Sequence, residues 1–221
     1  MRPPASVILS EMELDALTEL VNLGVSNAAH SLRELVREEI LLSVPKVTVV
    51  SRDEAIKNLG ERDVKRLVAV HQDFDGDIAG RALLIFPETK SLELVRAIVG
   101  SDLSLDDIIE LEQEALAETG NIILNACLAT MANNLGRTLK ISLPEVLHGG
   151  GPEFFYVKPP PFVDDNVLFS YINFSVRQRN ITGYIAMLLD LPSLATLKNL
   201  LAALIERTSS HTTSTVPPNG H

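Results

Sequence analysis

The chain has 221 residues, and its 19 basic and 29 acidic side chains give a formal net charge of −10 at pH 7. A negative field of that size repels phosphate groups, which argues against nucleic acid and anionic membranes as partners. The single cysteine cannot form an internal disulfide. The apolar run near the start is too short for a signal peptide, and no stretch approaches the roughly 18 apolar residues of a membrane span. We therefore expect a cytoplasmic protein without membrane insertion.

The first half of the chain predicts a long helix, three strands and a shorter helix. Ser10 and Glu13 form a capping-box pattern, and apolar residues then recur at three- and four-residue steps, which predicts a helix over 10–43. The remaining elements of this half are predicted from β-rich runs, turn residues and helical periodicity: strands at 47–50, 67–71 and 78–86, a hairpin tip at 73–77, and a helix at 91–99.

The second half repeats this order of elements. Apolar residues at helical spacing predict a second long helix from 106 to about 139. The segments that follow are predicted as a loop at 148–151, strands at 154–157, 167–174 and 181–189, and a helix at 193–205. Beyond these, the Ser, Thr, Pro, Gly and His residues of 207–221 have no apolar period and predict a disordered tail.

The repeated order indicates an internal duplication. Short matches support it, since Ile78-Ala79-Gly80 is similar to Ile181-Thr182-Gly183 at the start of corresponding strands. About 100 residues make a marginal independent core, so the repeats at about 10–100 and 104–206 are expected to share one core within a single domain. We predict an α+β fold with pseudo-twofold symmetry, in which two long helices lie side by side on one face of a mainly antiparallel sheet.

One polar motif, acidic-x3-Glu-x2-Asn-x22-Pro, occurs in both halves. Its members are Asp15, Glu19, Asn22 and Pro45 in the first half, and Glu114, Glu118, Asn121 and Pro144 in the second half. At about 100° per residue, the three polar residues of each copy fall within roughly 60° of arc and share one helix face. Chance would produce Glu-x2-Asn-x22-Pro on the order of 0.04 times in such a chain, so two copies in equivalent places favour a function.

The doubled motif resembles the signature of the CheC family of chemotaxis phosphatases, whose relatives include CheX and the flagellar-switch protein FliY. Residues 23–29 and 120–122 are also similar to the family's sequence after its first Asn and around its second Asn. The resemblance covers about residues 10–206. Two positions depart from the pattern: Glu114 replaces the usual Asp or Ser, and Val21 stands where a Gly often precedes the Asn.

The resemblance implies hydrolysis of the aspartyl phosphate on a CheY-like response regulator. Asn22 and Asn121 would each hold the attacking water, while Glu19 and Glu118 would dock the regulator by pairing with one of its cations. The regulator is expected to supply Mg²⁺ and a lysine, so no cofactor of the chain's own is expected. The remaining motif residues are assigned supporting parts, and these are Asp15, Glu114, Pro45 and Pro144. Because Glu114 is longer than Asp or Ser and would crowd the second site, the sequence ranks Asn22 above Asn121.

A non-catalytic module that binds response regulators, of the FliM type, is the alternative. Residues 9–17 resemble the regulator-binding peptide of FliM. Both Glu–Asn pairs are present, however, and a pure scaffold has no chemical reason to keep them. An unrelated acidic α+β protein is disfavoured by the doubled motif. The family resemblance adds two candidate partners besides the regulator, the deamidase CheD and a second copy of the chain.

Overall fold

A computed structural model describes residues 7–36, 39–60, 66–99, 104–156, 166–176 and 179–212. The helices are α1 (Glu11–Val36), α2 (Arg52–Gly60), α3 (Glu88–Val99), α4 (Leu105–Leu135), α5 (Gly151–Phe155) and α6 (Leu191–Thr212). The strands are β1 (Ile40–Ser43), β2 (Thr48–Ser51), β3 (Leu67–Gly76), β4 (Gly80–Pro87), β5 (Leu139–Ile141), β6 (Glu145–Gly149), β7 (Asn166–Val176) and β8 (Arg179–Leu189). Over these ranges, no helix is long and apolar enough to cross a membrane.

The strands form one antiparallel sheet in the order β1-β7-β8-β4-β3-β5. β2 also pairs with β7, and β6 also pairs with β3. β1 and β2 of the first half therefore pair with β7 of the second half, and β5 and β6 of the second half pair with β3 of the first half. This exchange is symmetric about the central β4–β8 pair, where Gly80 lies opposite Leu189 and Leu84 lies opposite Ile185. The predicted pseudo-twofold α+β fold is confirmed.

Helices cover both faces of the sheet. α1, α3, α4 and α6 pack on one face over the main hydrophobic core, and α2 and α5 pack on the other face over a smaller core. Alternation along β3 shows the two faces: Val68 and Val70 belong to the main core, whereas Leu67 and Ala69 belong to the smaller one. The two long helices thus lie on one face, as the sequence predicted.

The long helices α1 and α4 touch at a glycine. A Cβ atom on Gly24 would lie 2.6 Å from the Cα atom of Cys127, so no larger residue fits without moving a backbone. Cys127 is 0% exposed, and burial raises the pKa of its thiol to about 12. Cys127 thus lies in the main core, and α1 continues without a break through Gly24.

Several predicted boundaries were wrong, mainly where a partner strand decides the structure. Residues 40–43 and residue 139 lie in strands and not at helix ends, because β1 pairs with β7 and β5 pairs with β3. The strand predicted at 154–157 is instead α5, in which Phe154 and Phe155 are buried in the smaller core. The predicted loop at 148–151 begins inside β6, and α2 had no prediction. α6 continues to Thr212, so residues 207–212 are helical, and the rest of the predicted tail lies outside the described residues.

Candidate active sites on the two long helices

The structure places each polar motif at the edge of its helix, between solvent and core. On α1, Asp15 and Glu19 are exposed and Asn22 is half-buried. On α4, the second motif repeats this pattern, with its glutamates exposed and Asn121 half-buried. Within the part of the chain that the structure describes, neither Glu19 nor the equivalent Glu118 forms an ion pair. Both carboxylates are therefore available to a cation from outside.

In the first site, the NH₂ group and the oxygen of the Asn22 amide both bind the backbone of Val44. Nδ2 of Asn22 donates to the Val44 carbonyl at 2.7 Å, and Oδ1 accepts from the Val44 N–H at 2.9 Å. Val44 is 1% exposed and directly precedes Pro45, which restricts it to extended backbone. The fixed spacing between Asn and Pro in the motif thus has a structural reason here, because Asn22 holds the residue before the proline.

In the second site, the amide of Asn121 has different partners. Its Oδ1 accepts from Nδ2 of Asn125 at 2.6 Å and from Nε2 of Gln72 at 3.2 Å. Gln72 also donates to the carbonyl of Ser142 at 2.8 Å. Two donors on one oxygen fix the orientation of the Asn121 amide, and among the described residues its Nδ2 has no partner. Among the described residues, both N–H groups of the Asn121 amide are therefore without a partner, whereas one of the two N–H groups of Asn22 already donates to Val44.

The residue before each motif asparagine accounts for this difference. A Cβ atom on Gly120 would lie 2.5 Å from Cγ1 of Val70, so α4 lies directly against β3 and Gln72 can reach Asn121. In the first half this position is Val21, which is buried. A small apolar cavity between α1 and β7 is lined by Val21 and by Ser170, a polar residue of β7 on this face. Ser170 donates to the Lys46 carbonyl and makes no bond to Asn22.

Comparison with known proteins gives a family and two relatives. The model of the family "Chemotaxis phosphatase CheX" matches residues 68–158, which include the second motif. The CheY-P phosphatase CheC of Bacillus subtilis is 28% identical over 141 residues, 62% of this chain and 67% of that protein. The flagellar motor switch phosphatase FliY of the same organism is 22% identical over 215 residues, 95% of this chain but only 54% of that longer protein. The chain is CheC/CheX/FliY-like.

A solved structure supports this likeness at the level of fold. The crystal structure of Thermotoga maritima FliY aligns with a TM-score of 0.71, covering 90% of this chain and 100% of that chain at 18% identity. At this identity the alignment shows a shared fold alone. The resemblance that the doubled motif indicated is confirmed, and the CheC-like fold with it.

Sequence reasoning missed three polar side chains of the second site, Gln72, Asn125 and Ser142. A signal for Gln72 was present, because it continues the inward register of Val68 and Val70 in β3 with a polar residue. Asn125 stands four residues after Asn121 on one helix, a spacing at which side chains meet. Ser142 carried no signal, since its contact depends on where β5 ends beside β3. There, its hydroxyl also accepts from the Asp73 N–H at 3.0 Å.

A second polar cluster lies on the other face of β3 and is separate from the motif. Arg81 donates through Nε and Nη2 to the two carboxylate oxygens of Asp73, which lowers the pKa of Asp73. His71 lies 3.3 Å from Glu145, between Nε2 and Oε2, and burial lowers the pKa of its imidazole. Among the described residues, no group of three or more His, Cys, Asp or Glu side chains is arranged to hold a metal ion. The expectation of no cofactor stays a prediction.

Proposed function

We propose that this protein hydrolyses the aspartyl phosphate of a CheY-like response regulator. The names of its relatives CheC and FliY identify them as phosphatases, and that of CheC identifies phosphorylated CheY as the substrate. One structural observation carries the proposal. Two side chains hold the carbonyl oxygen of Asn121, and its NH₂ group lies on the helix face that also carries the carboxylate of Glu118; neither of these two groups has a partner among the described residues.

This arrangement suits a reaction that needs little beyond positioning. An acyl phosphate is already reactive, and the regulator brings the Mg²⁺ and the lysine that neutralise phosphoryl oxygens. A side-chain amide can hold a water in line with the leaving carboxylate without adding negative charge beside the phosphate. A hundredfold acceleration requires about 2.7 kcal/mol, which is within the reach of positioning. Asn121 would orient the water, and Glu118 would pair with a regulator cation to fix the docking register.

The two sites are proposed to be unequal, with Asn121 carrying more of the turnover than Asn22. Asn22 is bound to Val44 through both its NH₂ group and its oxygen, which leaves it one N–H group to hold a water where Asn121 has two. This ranking reverses the one drawn from the length of Glu114. Glu19 is exposed and unpaired in the described structure, so the first site would still dock a regulator.

The supporting motif residues are proposed to act outside the chemistry. Pro45 follows the residue that Asn22 holds, and Pro144 stands at the corresponding place between β5 and β6. Asp15 and Glu114 are exposed on the motif faces, where they would contribute to the field that meets the regulator. CheD and a second copy of the chain stay predictions as partners.

The decisive experiment adds the purified protein to a CheY-type regulator carrying radiolabelled phosphate and follows loss of the label. We expect faster loss with the parent protein, clearly slower loss with Asn121→Ala, and almost no stimulation with Asn22→Ala and Asn121→Ala combined. Glu118→Ala should weaken regulator binding as well as rate, because it removes a charge-assisted contact. If the double asparagine variant acted as fast as the parent, the enzyme proposal would be wrong. Regulator binding without stimulated phosphate loss would favour the binding module.

A further inference from the structure

We infer that Gln72 is a positioning residue for the second site and acts through Asn121. The inference rests on the proposed function, since it assigns a part in the same reaction to a side chain outside the motif. Gln72 lies on β3, 49 positions from Asn121 along the chain, and is 0% exposed. It cannot touch a regulator, so any effect on turnover must pass through a neighbour.

The partners of Gln72 show what it does. All three atoms near its Nε2 are acceptors: the Ser142 carbonyl at 2.8 Å, Oδ1 of Asn121 at 3.2 Å and Oδ1 of Asn125 at 3.5 Å. Asn125 in turn donates to the same oxygen of Asn121 at 2.6 Å. With two donors on its oxygen, the Asn121 amide cannot rotate without losing both bonds. Its NH₂ group is therefore held outward before any substrate arrives, which is preorganisation of the group that orients the water.

The other end of the Gln72 amide indicates that packing alone does not explain this residue. Its Oε1 is buried and has no hydrogen-bond partner among the described residues, which is unfavourable for stability. The residues before and after it on the same face of β3 are Val70 and Phe74, both in the main core. An apolar side chain would suit that environment better. The hydrogen bonds that Nε2 of Gln72 donates to Asn121 and Ser142 therefore explain the presence of a glutamine here better than packing does.

The first half of the molecule supplies an internal comparison. Gln72 is paired with Ala82 on β4, and the corresponding position on β7 is Ser170, which is paired with Ile185 on β8. Ser170 donates to the Lys46 carbonyl and makes no hydrogen bond to Asn22. Asn22 has no donor from the sheet, and its amide binds the backbone of Val44. Asn121 has such a donor in Gln72, and its NH₂ group has no partner among the described residues.

The test compares Gln72→Met, which keeps the length of the side chain and removes the donor, with the parent protein. We expect kcat for a phosphorylated CheY-type regulator to fall about tenfold while KM changes less than about twofold, since one neutral hydrogen bond orients the amide. The unfolding midpoint should stay close to that of the parent, because the substitution also removes the unpartnered Oε1. Asn125→Ala removes the second donor and should lower kcat in the same sense. Ser26→Ala, at the equivalent exposed position of α1, is the matched control and should leave kcat unchanged.

A double variant separates this inference from the proposed function. Gln72→Met added to Asn121→Ala should cause no further loss, because Gln72 acts only through Asn121. An unchanged kcat in Gln72→Met, or an equal further loss in the double variant, would overturn the inference and leave the phosphatase proposal standing. Asn121→Ala turning over as fast as the parent would overturn both. If Gln72→Met does not fold, the kcat of Asn125→Ala is compared with that of Ser26→Ala. Equal kcat values in these two variants would refute the positioning role.

Discussion

Asn22→Ala should mainly lower stability and Asn121→Ala should mainly lower turnover, because the two side chains have different hydrogen-bond partners. Asn22→Ala leaves the N–H and the C=O of Val44 without partners next to the core. Each unsatisfied buried group costs about 1–3 kcal/mol, so for the two groups we expect a loss of about 2–6 kcal/mol in the free energy of unfolding. For a chain of this size that corresponds to roughly 4–24 °C in Tm. Asn121→Ala leaves Gln72 bonded to Ser142 and Asn125 half-exposed, so its expected cost is about 1 kcal/mol or less.

The measurement pairs urea unfolding with phosphate release for each variant at the same protein concentration. Asn22→Asp is the matched control, because it keeps the acceptor for the Val44 N–H and removes the donor, and it should show an intermediate loss of stability. Asn121→Ala should instead lose turnover while its unfolding midpoint stays near that of the parent. Equal midpoints for the two alanine variants would refute the structural assignment of Asn22. Loss of turnover in Asn22→Ala with full stability would show that the first asparagine is the catalytic one.

Three further predictions concern packing, pH and docking. Gly24→Ala should lower the urea midpoint by the equivalent of about 1–3 kcal/mol, because its Cβ would lie 2.6 Å from the Cα atom of Cys127, and an unchanged midpoint would contradict the close crossing. Burial lowers the pKa of His71 below its ordinary 6.5, so the free energy of unfolding should decrease as pH falls from about 6.5 through the folded-state pKa. Urea unfolding of the parent and of His71→Phe between pH 8 and 5 should show this decrease in the parent alone. Leu143 is 85% exposed beside the second site, so Leu143→Asp should keep the parent's Tm and raise KM for the phospho-regulator, and an unchanged KM would exclude it from docking.

The elements that the sequence predicted well are those whose pattern is set by their own residues. The long helices show apolar residues at helical spacing, and β7 and β8 show runs of β-branched and aromatic residues. β1 failed for the opposite reason. Residues 40–42 continue the apolar content of α1, and only the pairing of Ile40 with Val176 and of Leu42 with Phe174 makes them a strand. No local pattern contains the position of that partner.

α5 shows a conflict between local signals. Phe154 and Phe155 favour a strand by propensity, whereas Pro152 in the first turn and Glu153, whose carboxylate accepts from the Gly150 N–H at 2.9 Å, favour a helix start. The helix places both aromatic rings in the smaller core. Tertiary burial and the helix-start residues together outweigh the strand propensity. A prediction that weighs aromatic residues alone therefore gives a strand here.

The geometry of the candidate sites also depends partly on local sequence and partly on residues that are distant in sequence. Spacing along one helix was enough to place a glutamate and an asparagine of each motif on a common face. The hydrogen-bond partners of each amide could not be predicted in this way, since Asn22 bonds to Val44 after β1 and Asn121 bonds to Gln72 on β3. Both partners are distant in sequence, and the sheet that brings them near is shared by the two halves. The common helix face of the motif residues could be predicted, but the different hydrogen-bond partners of Asn22 and Asn121 could not.

The difference between the two asparagines follows from their hydrogen-bond partners. An asparagine side chain has one acceptor oxygen and an NH₂ group with two hydrogens, so each bond that anchors a backbone segment leaves fewer groups to orient a water. Asn22 binds Val44 with its oxygen and one of its N–H groups, and the residue before it is the buried Val21. With Gly120 in place of that valine, α4 rests against β3, and Gln72 takes up the oxygen of Asn121 alone. A difference of one small residue beside the motif thus accompanies the difference between an asparagine that anchors a backbone segment and one whose NH₂ group has no partner among the described residues.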